Sequence, residues 1–316
     1  AHVAAPGLSA SARMSAAGAR ALFAAAGTTF DDLQAAEADG KPLHAFQMPG
    51  RVKLGGSTRI RRIESPNVVG IIEGADPELK NEVVVISAHL DHLGKRRNGK
   101  PGEDIIRNGA MDNAMGVSML IETANRLKKS PPRRSVVFVA FTGEEKGLLG
   151  SKYFAKNPPL GARTIIGNVN LDMPLTLFPL GDVIGFGAER SSLGPLISSV
   201  AAEMGLSLTP DPYPEEGIFT RSDHFSFVVE QGVPAVFLAA GIKNGGQEAF
   251  RDFMKTHYHR PSDDMNLPID WQSSALFADL NVRLAMRIAN DDAAPTWNEG
   301  DYFGKRFGKK RPARQP

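Results

Sequence analysis

The sequence predicts an α/β fold: a mixed, mostly parallel central β-sheet sandwiched by helices on both faces. Two observations carry this. From residue 65 onward, short β-branched runs alternate with segments of helical period, and such alternation marks a largely parallel sheet with covering helices. The runs also lack charge in their middles, as strands buried on both faces require.

The elements follow in order. Residues 15–26 (SAAGARALFAAA) read as a helix ended by Gly27. Thr28 or Thr29 would cap the next, with Asp31 and Asp32 in its first turn. Residues 67–72 (NVVGII) and 82–87 (EVVVIS) read as buried strands. Residues 112–127 read as a helix, with Val117, Leu120, Ile121, Ala124 and Leu127 at helical spacing. Residues 135–141 (SVVFVAF) form another buried strand, and 163–171 a less hydrophobic one. A helix is expected over 193–204, a strand over 233–238 and a closing amphipathic helix over 271–290. The organisation expected is a helical lead-in packed on the core over 1–64, a core over 65–292 and a basic tail over 293–316. The run from Lys305 (KRFGKKRPARQP) reads as frayed and solvated chain rather than a nucleic-acid arm.

Composition narrows the function. With 316 residues, 42% of them apolar, the chain can bury one large core. A net charge of +2 favours neither nucleic acid nor an acidic partner. The absence of cysteine removes disulfides, thiolate nucleophiles and cysteine-type zinc sites together. No apolar run approaches the roughly 20 residues that span a membrane.

In open α/β sheets, ligands bind beyond the carboxyl ends of the strands. Here those ends are followed by Ala88-His89-Leu90-Asp91-His92, by Thr142-Gly143-Glu144-Glu145 and by Asp172. Between the first two lies Gly109-Ala110-Met111-Asp112-Asn113, just ahead of a helix. Near the end lies Tyr258-His259-Arg260-Pro261-Ser262-Asp263. Taken singly, each has an ordinary explanation: a hydrogen-bonded strand-end His, a solvated Glu pair, an Asp N-cap. Together they gather carboxylates that are costly to bury unless cations neutralise them. Imidazole with carboxylate and no thiolate suits zinc or a similar divalent ion, and suits calcium poorly.

The stretches SAHLDHLG (87–94), NGAMDNAMGV (108–117), FTGEEKGLLGS (141–151), NLDM (170–173), RSDHFSF (221–227) and YHRPSDD (258–264) resemble the M28 family of zinc peptidases, in order, spacing and strand context. The resemblance covers about residues 65–290. It implies an aminopeptidase-like hydrolase with two zinc ions per chain. One zinc would be held by His89 and Asp172, the other by Glu145 and His259, with Asp112 bridging both. Glu144 would be the general base. Asp91 would orient the His89 ring, and Asp263, four residues beyond His259, would orient that ring. His259 is preferred to His257 because of the Tyr before it and the Asp after it. His92 could line the site or be structural. His224 could bond the developing oxyanion or simply pack. His44 and His2 lie outside the matched stretches and read as non-catalytic.

Some relatives place a Tyr shortly before the SerAspHis stretch. Here that stretch reads Phe219-Thr220-Arg221, which leaves the oxyanion donor open. Residues 95–107 and 209–221 read as loops roofing the pocket, with Glu215 and Glu216 as candidates for recognising a substrate amine. The implied partner is a peptide or aminoacyl substrate, with no nucleic acid, no membrane, and a monomer or weak homo-oligomer as the assembly. The resemblance and the Ala1 start imply a secreted or periplasmic protein. The alternatives are a carboxypeptidase or dipeptidase, with Arg96, Arg97, Arg107 or Arg221 holding a carboxylate, a one-zinc glutaminyl cyclase, and a non-catalytic binding protein. The filled metal positions argue against the last two.

Overall fold

Seven strands form one sheet: β1 (Val68–Ile72), β2 (Glu82–His89), β3 (Ser135–Phe141), β4 (Thr164–Leu171), β5 (Asp182–Phe186), β6 (Ser207–Thr209) and β7 (Ala235–Ala240), in the order β1-β3-β2-β4-β7-β5-β6. The pairs β3–β2, β2–β4, β4–β7 and β5–β6 run parallel, whereas β1–β3 and β5–β7 run antiparallel. The computed structural model describes residues 12–309 apart from 25, 54, 56 and 58–61. His2 and residues 310–316 of the basic tail lie outside the described residues.

The chain divides into two units, residues 1–63 and 64–316. The first holds α1 (Ala16–Phe23) and α2 (Phe30–Ala38). Thr29 caps α2 reciprocally: its hydroxyl accepts from the Asp32 amide, and the Asp32 carboxylate accepts from the Thr29 amide. Phe23 packs against Phe30 and Phe46, with ring centroids 6.1 and 5.9 Å apart.

The second unit carries α3 (Met115–Lys129), α4 (Leu149–Lys156), α5 (Leu193–Glu203), α6 (His224–Gln231), α7 (Gly246–Thr256), α8 (Trp271–Asn290) and α9 (Tyr302–Phe307). Strand alternation sorts the core into two layers. On one face Val84 and Ile86 of β2 meet Val136 and Phe138 of β3 under α3, α5 and α8. On the other, Val83 and Val85 meet Val137 and Val139 under α4, α6 and α9. A central strand that buries both faces reads as a continuous apolar run, which is why β2 and β3 were legible. The first strand is different. The run at 67–72 does form β1, but at the sheet edge, with Val68 60% and Ile71 43% exposed. A β-branched run marks a strand without telling how many neighbours it has.

Short elements escaped the sequence reading. β5 and β6 have five and three residues, and α4, α6 and α7 were not anticipated. The tail also departs from expectation: Asp301 caps α9 through the Phe303 and Gly304 amides, and Phe303 and Phe307 pack on the second core layer. Residues 305–307 are therefore helix, not frayed chain. No helix among the described residues is long and apolar enough to cross a membrane.

Candidate metal centre and active site

Parallel pairing brings the candidate residues together. Ser87 lies opposite Asn170 across β2 and β4, so the next step along both strands sets His89 beside Asp172. His89 also lies opposite Phe141, the last residue of β3. Beyond β3 the chain turns at Gly143 (φ 70°) into a single helical turn bearing Glu144 and Glu145. Asp112 sits in a wide turn, residues 110–114, that leads into α3. Asn113 ties this turn down, donating to the Leu171 carbonyl (2.9 Å) and accepting from the Gly116 amide (3.2 Å). Gly109 opens it with φ 69°. A Cβ there would meet the Asp112 carbonyl oxygen at 2.5 Å and the His92 ring at 3.1 Å, so only glycine permits this approach.

The side chains form two donor sets that share Asp112. Its Oδ1 lies 3.2 Å from His89 Nε2, which is also 3.2 Å from Asp172 Oδ1. Its Oδ2 lies 3.4 Å from His259 Nε2 and 3.7 Å from His92 Nδ1. Glu145 completes the second set, with Oε1 2.7 Å from His92 Nδ1 and Oε2 3.5 Å from His259 Nε2. In each of the groups His89–Asp112–Asp172 and His92–Asp112–Glu145, one ligand atom per residue lies within 4.8 Å of the others.

These groups fit a metal. Nδ1 of His89 faces the Asp91 carbonyl at 3.0 Å and must donate to it, since a carbonyl only accepts. That leaves the Nε2 lone pair pointing at two carboxylates, which an imidazolium proton or a cation must mediate. Burial opposes charge on His89, but the Asp172 and Asp112 carboxylates outweigh it and hold the ring's pKa far above the usual histidine value. His92 Nδ1 and Glu145 Oε1 are close without hydrogen-bond alignment, and neither atom has a hydrogen-bond partner among the described residues. Among the described residues, no Lys or Arg pairs with Asp112, Glu144, Glu145 or Asp172. Nitrogen and oxygen donors facing one another across unneutralised charge suit zinc.

Both sets open onto a cavity of about 420 Å³. Its wall carries His89, Asp112, Glu144, Asp172, Tyr258 and His259, and its floor is apolar, with Phe178, Ile242, Phe250 and Met254. Burial, and then the neighbouring Asp172 charge, pushes the Glu144 pKa up to about 9 when only the protein's own charges act. Cations among these carboxylates would act in the opposite sense.

The model of peptidase family M28 matches residues 67–285. The chain belongs to peptidase family M28. A stretch of 117 residues is 31% identical to a probable zinc metalloprotease of Phaeosphaeria nodorum, covering 34% of this chain and 23% of that protein. A stretch of 91 residues is 33% identical to aminopeptidase YwaD of Bacillus subtilis, covering 28% and 17%. The chain thus spans less than a quarter of either relative's length. Among solved structures, the fold resembles BSAP, a zinc aminopeptidase from Bacillus subtilis, at 25% identity and a TM-score of 0.55, covering 72% of this chain and 51% of that one.

Within this M28 chain, several side chains sit differently from expectation. The Asp91 carboxylate does not touch His89. Its backbone carbonyl takes the His89 proton, while Oδ1 accepts from the Glu144 amide at 3.0 Å. Asp263 does not orient His259. Its two oxygens accept from the Met111 and Asp112 amides at 2.8 and 3.1 Å, so it holds the turn that bears Asp112. His224 does not line the cavity. It is fully buried beside Phe219 and Phe237, where burial lowers its pKa to about 4, which fits the packing role that the sequence also allowed. His257 faces Ser262 instead of the donor sets. No residue of 95–107 lines the cavity. The 209–221 loop does, through Tyr213, Glu216, Ile218 and Arg221, but not through Glu215.

Tyr258 was used in the sequence only to choose between two histidines. Its ring stacks on His259 at 3.7 Å and lines the cavity. Burial, then the Asp112, Glu145, Asp172 and Glu144 carboxylates, raises its pKa, which places its hydroxyl within their field. Adjacency to a candidate ligand was the signal available beforehand.

A buried chain of hydrogen bonds also ends on the site. Asn168 Nδ2 donates to Ser87 Oγ (2.9 Å), Ser87 to Asn170 Oδ1 (2.6 Å), Asn170 Nδ2 to Ser222 Oγ (2.9 Å) and Ser222 to Asp172 Oδ2 (2.6 Å). Every donor points toward Asp172, leaving its Oδ1 for the metal side. Ser222→Ala removes the last bond. It is expected to weaken zinc binding by about 10–100-fold, read by chelator competition. An unchanged zinc affinity would show that Asp172 needs no such support.

Proposed function

We propose that this chain is a zinc-dependent aminopeptidase holding two zinc ions. The observation that supports it most is the division of Asp112, whose two oxygens face separate donor sets. His89 and Asp172 would hold one ion and Glu145 with His259 the other, His92 standing beside the second. Bound zinc would polarise the scissile carbonyl and acidify the attacking water. Glu144, held at its amide by Asp91, would take the water's proton on its carboxylate and deliver it to the departing amine nitrogen. Tyr258 would donate a hydrogen bond to the carbonyl oxygen as it gains charge. The apolar floor would receive the side chain of the N-terminal residue and exclude water, while the acidic wall would favour its free amine.

The test is hydrolysis of aminoacyl-p-nitroanilides and their N-acetylated twins, after chelation and zinc add-back. Cleavage of the free-amine compounds alone, restored by zinc to two ions per chain, is the expected result. Cleavage of both classes alike would overturn the aminopeptidase reading.

A further inference from the structure

The cavity wall contains a cation that the chemistry above does not use. Among its described lining residues Arg221 is the one Lys or Arg. Of the other arginines considered from sequence, Arg96 pairs with Glu103, Arg107 donates to the His259 carbonyl, and neither they nor Arg97 line the cavity. Arg221 has a single acidic partner, Glu216, with Nη1 3.3 Å from Oε2, and both side chains are 59% exposed. An exposed pair at that separation contributes little. Nε and Nη2 have no partner among the described residues, so one edge of the guanidinium is open to a second carboxylate, the group its fork matches best.

The position of Arg221 sets what that carboxylate belongs to. Its backbone is fixed by a bond from its amide to the Ile218 carbonyl (3.0 Å). The next residue, Ser222, bonds Asp172 of the first donor set at 2.6 Å. Arg221 is therefore anchored next to a residue that touches the first donor set, and both line the same cavity. An extended peptide advances at most about 3.3–3.6 Å per residue, so a peptide of only a few residues can keep its scissile bond at the donor sets and its terminal carboxylate on Arg221 within one cavity.

We propose that Arg221 is a specificity-determining residue that binds the C-terminal carboxylate of the substrate, so that the enzyme prefers di- and tripeptides with a free carboxyl end. This rests on the aminopeptidase reading. Charge complementarity supports it: the acidic wall faces the amine end and the lone cation faces the carboxyl end of a short zwitterionic peptide.

The experiment compares Leu-Ala, Leu-Ala amide and a Leu-initiated hexapeptide on the zinc-loaded full chain. The wild type is expected to favour Leu-Ala over its amide by about 10–100-fold, the scale of a hydrogen-bonded charge pair, expressed in KM. Arg221→Met should bring the ratio near one, and Arg221→Lys should retain part of it. Equal KM for acid and amide in the wild type, a hexapeptide cleaved as well as the dipeptide, or a ratio unchanged in Arg221→Met each overturn the proposal while leaving the aminopeptidase reading intact. Failure to cleave any of the three would instead overturn both.

Discussion

Glu144→Gln is expected to lower kcat by about 10²–10⁴-fold, the usual contribution of a positioned acid–base group, with zinc content unchanged. The reason is geometric. Glu144 and Glu145 are neighbours on one turn after Gly143, yet Glu145 faces His92 and His259 while Glu144 joins neither donor set. Glu144 lines the cavity beside Asp172 and is held at its amide by Asp91. Gln keeps its shape and loses its proton-accepting carboxylate. Metal analysis together with kcat under saturating zinc decides the matter. Loss of zinc in the variant would make Glu144 a ligand, and a kcat within tenfold of wild type would remove it from proton transfer.

Tyr258→Phe is expected to lower kcat by about 10²–10³-fold, as removal of one oxyanion donor does, with KM little changed. A phenylalanine ring preserves the stacking on His259, seen at 3.7 Å, so the donor sets should keep their arrangement and their metal. The prediction isolates the hydroxyl, because no other change in the cavity accompanies it. A steady-state comparison on one free-amine anilide, with zinc content measured alongside, provides the check. An unchanged kcat would assign the developing charge to the metals instead, His224 lying beside Phe219 and Phe237 and not among the residues that line the cavity.

The two variants address opposite ends of the same event. On the proposed mechanism Glu144 would handle the proton and Tyr258 the oxyanion, so the double variant should lose less than the product of the single losses if the two groups act as a unit.

Read residue by residue, the sequence alone determined what local chemistry dictates. β2 and β3 bury both faces, so their continuous apolar runs were visible. A helix starting after Thr28 or Thr29 followed from a capping rule that spans four residues, and the structure places the cap at Thr29. The acids and imidazoles after the strand ends were visible because parallel strands deliver their carboxyl ends to one side. Tertiary structure alone decided which partner each polar group found. Asp91 bonds an amide 53 residues away and Asp263 bonds amides more than 150 residues earlier, and spacing carries no record of such pairings. The enclosure of His224, the approach of His92 to Glu145 and the edge position of β1 likewise depend on what packs beside them. Side-chain identity fixes which bonds a residue can make, but burial and long-range pairing select among them, because an unpaired polar group inside the fold costs more than the local preference it overrides.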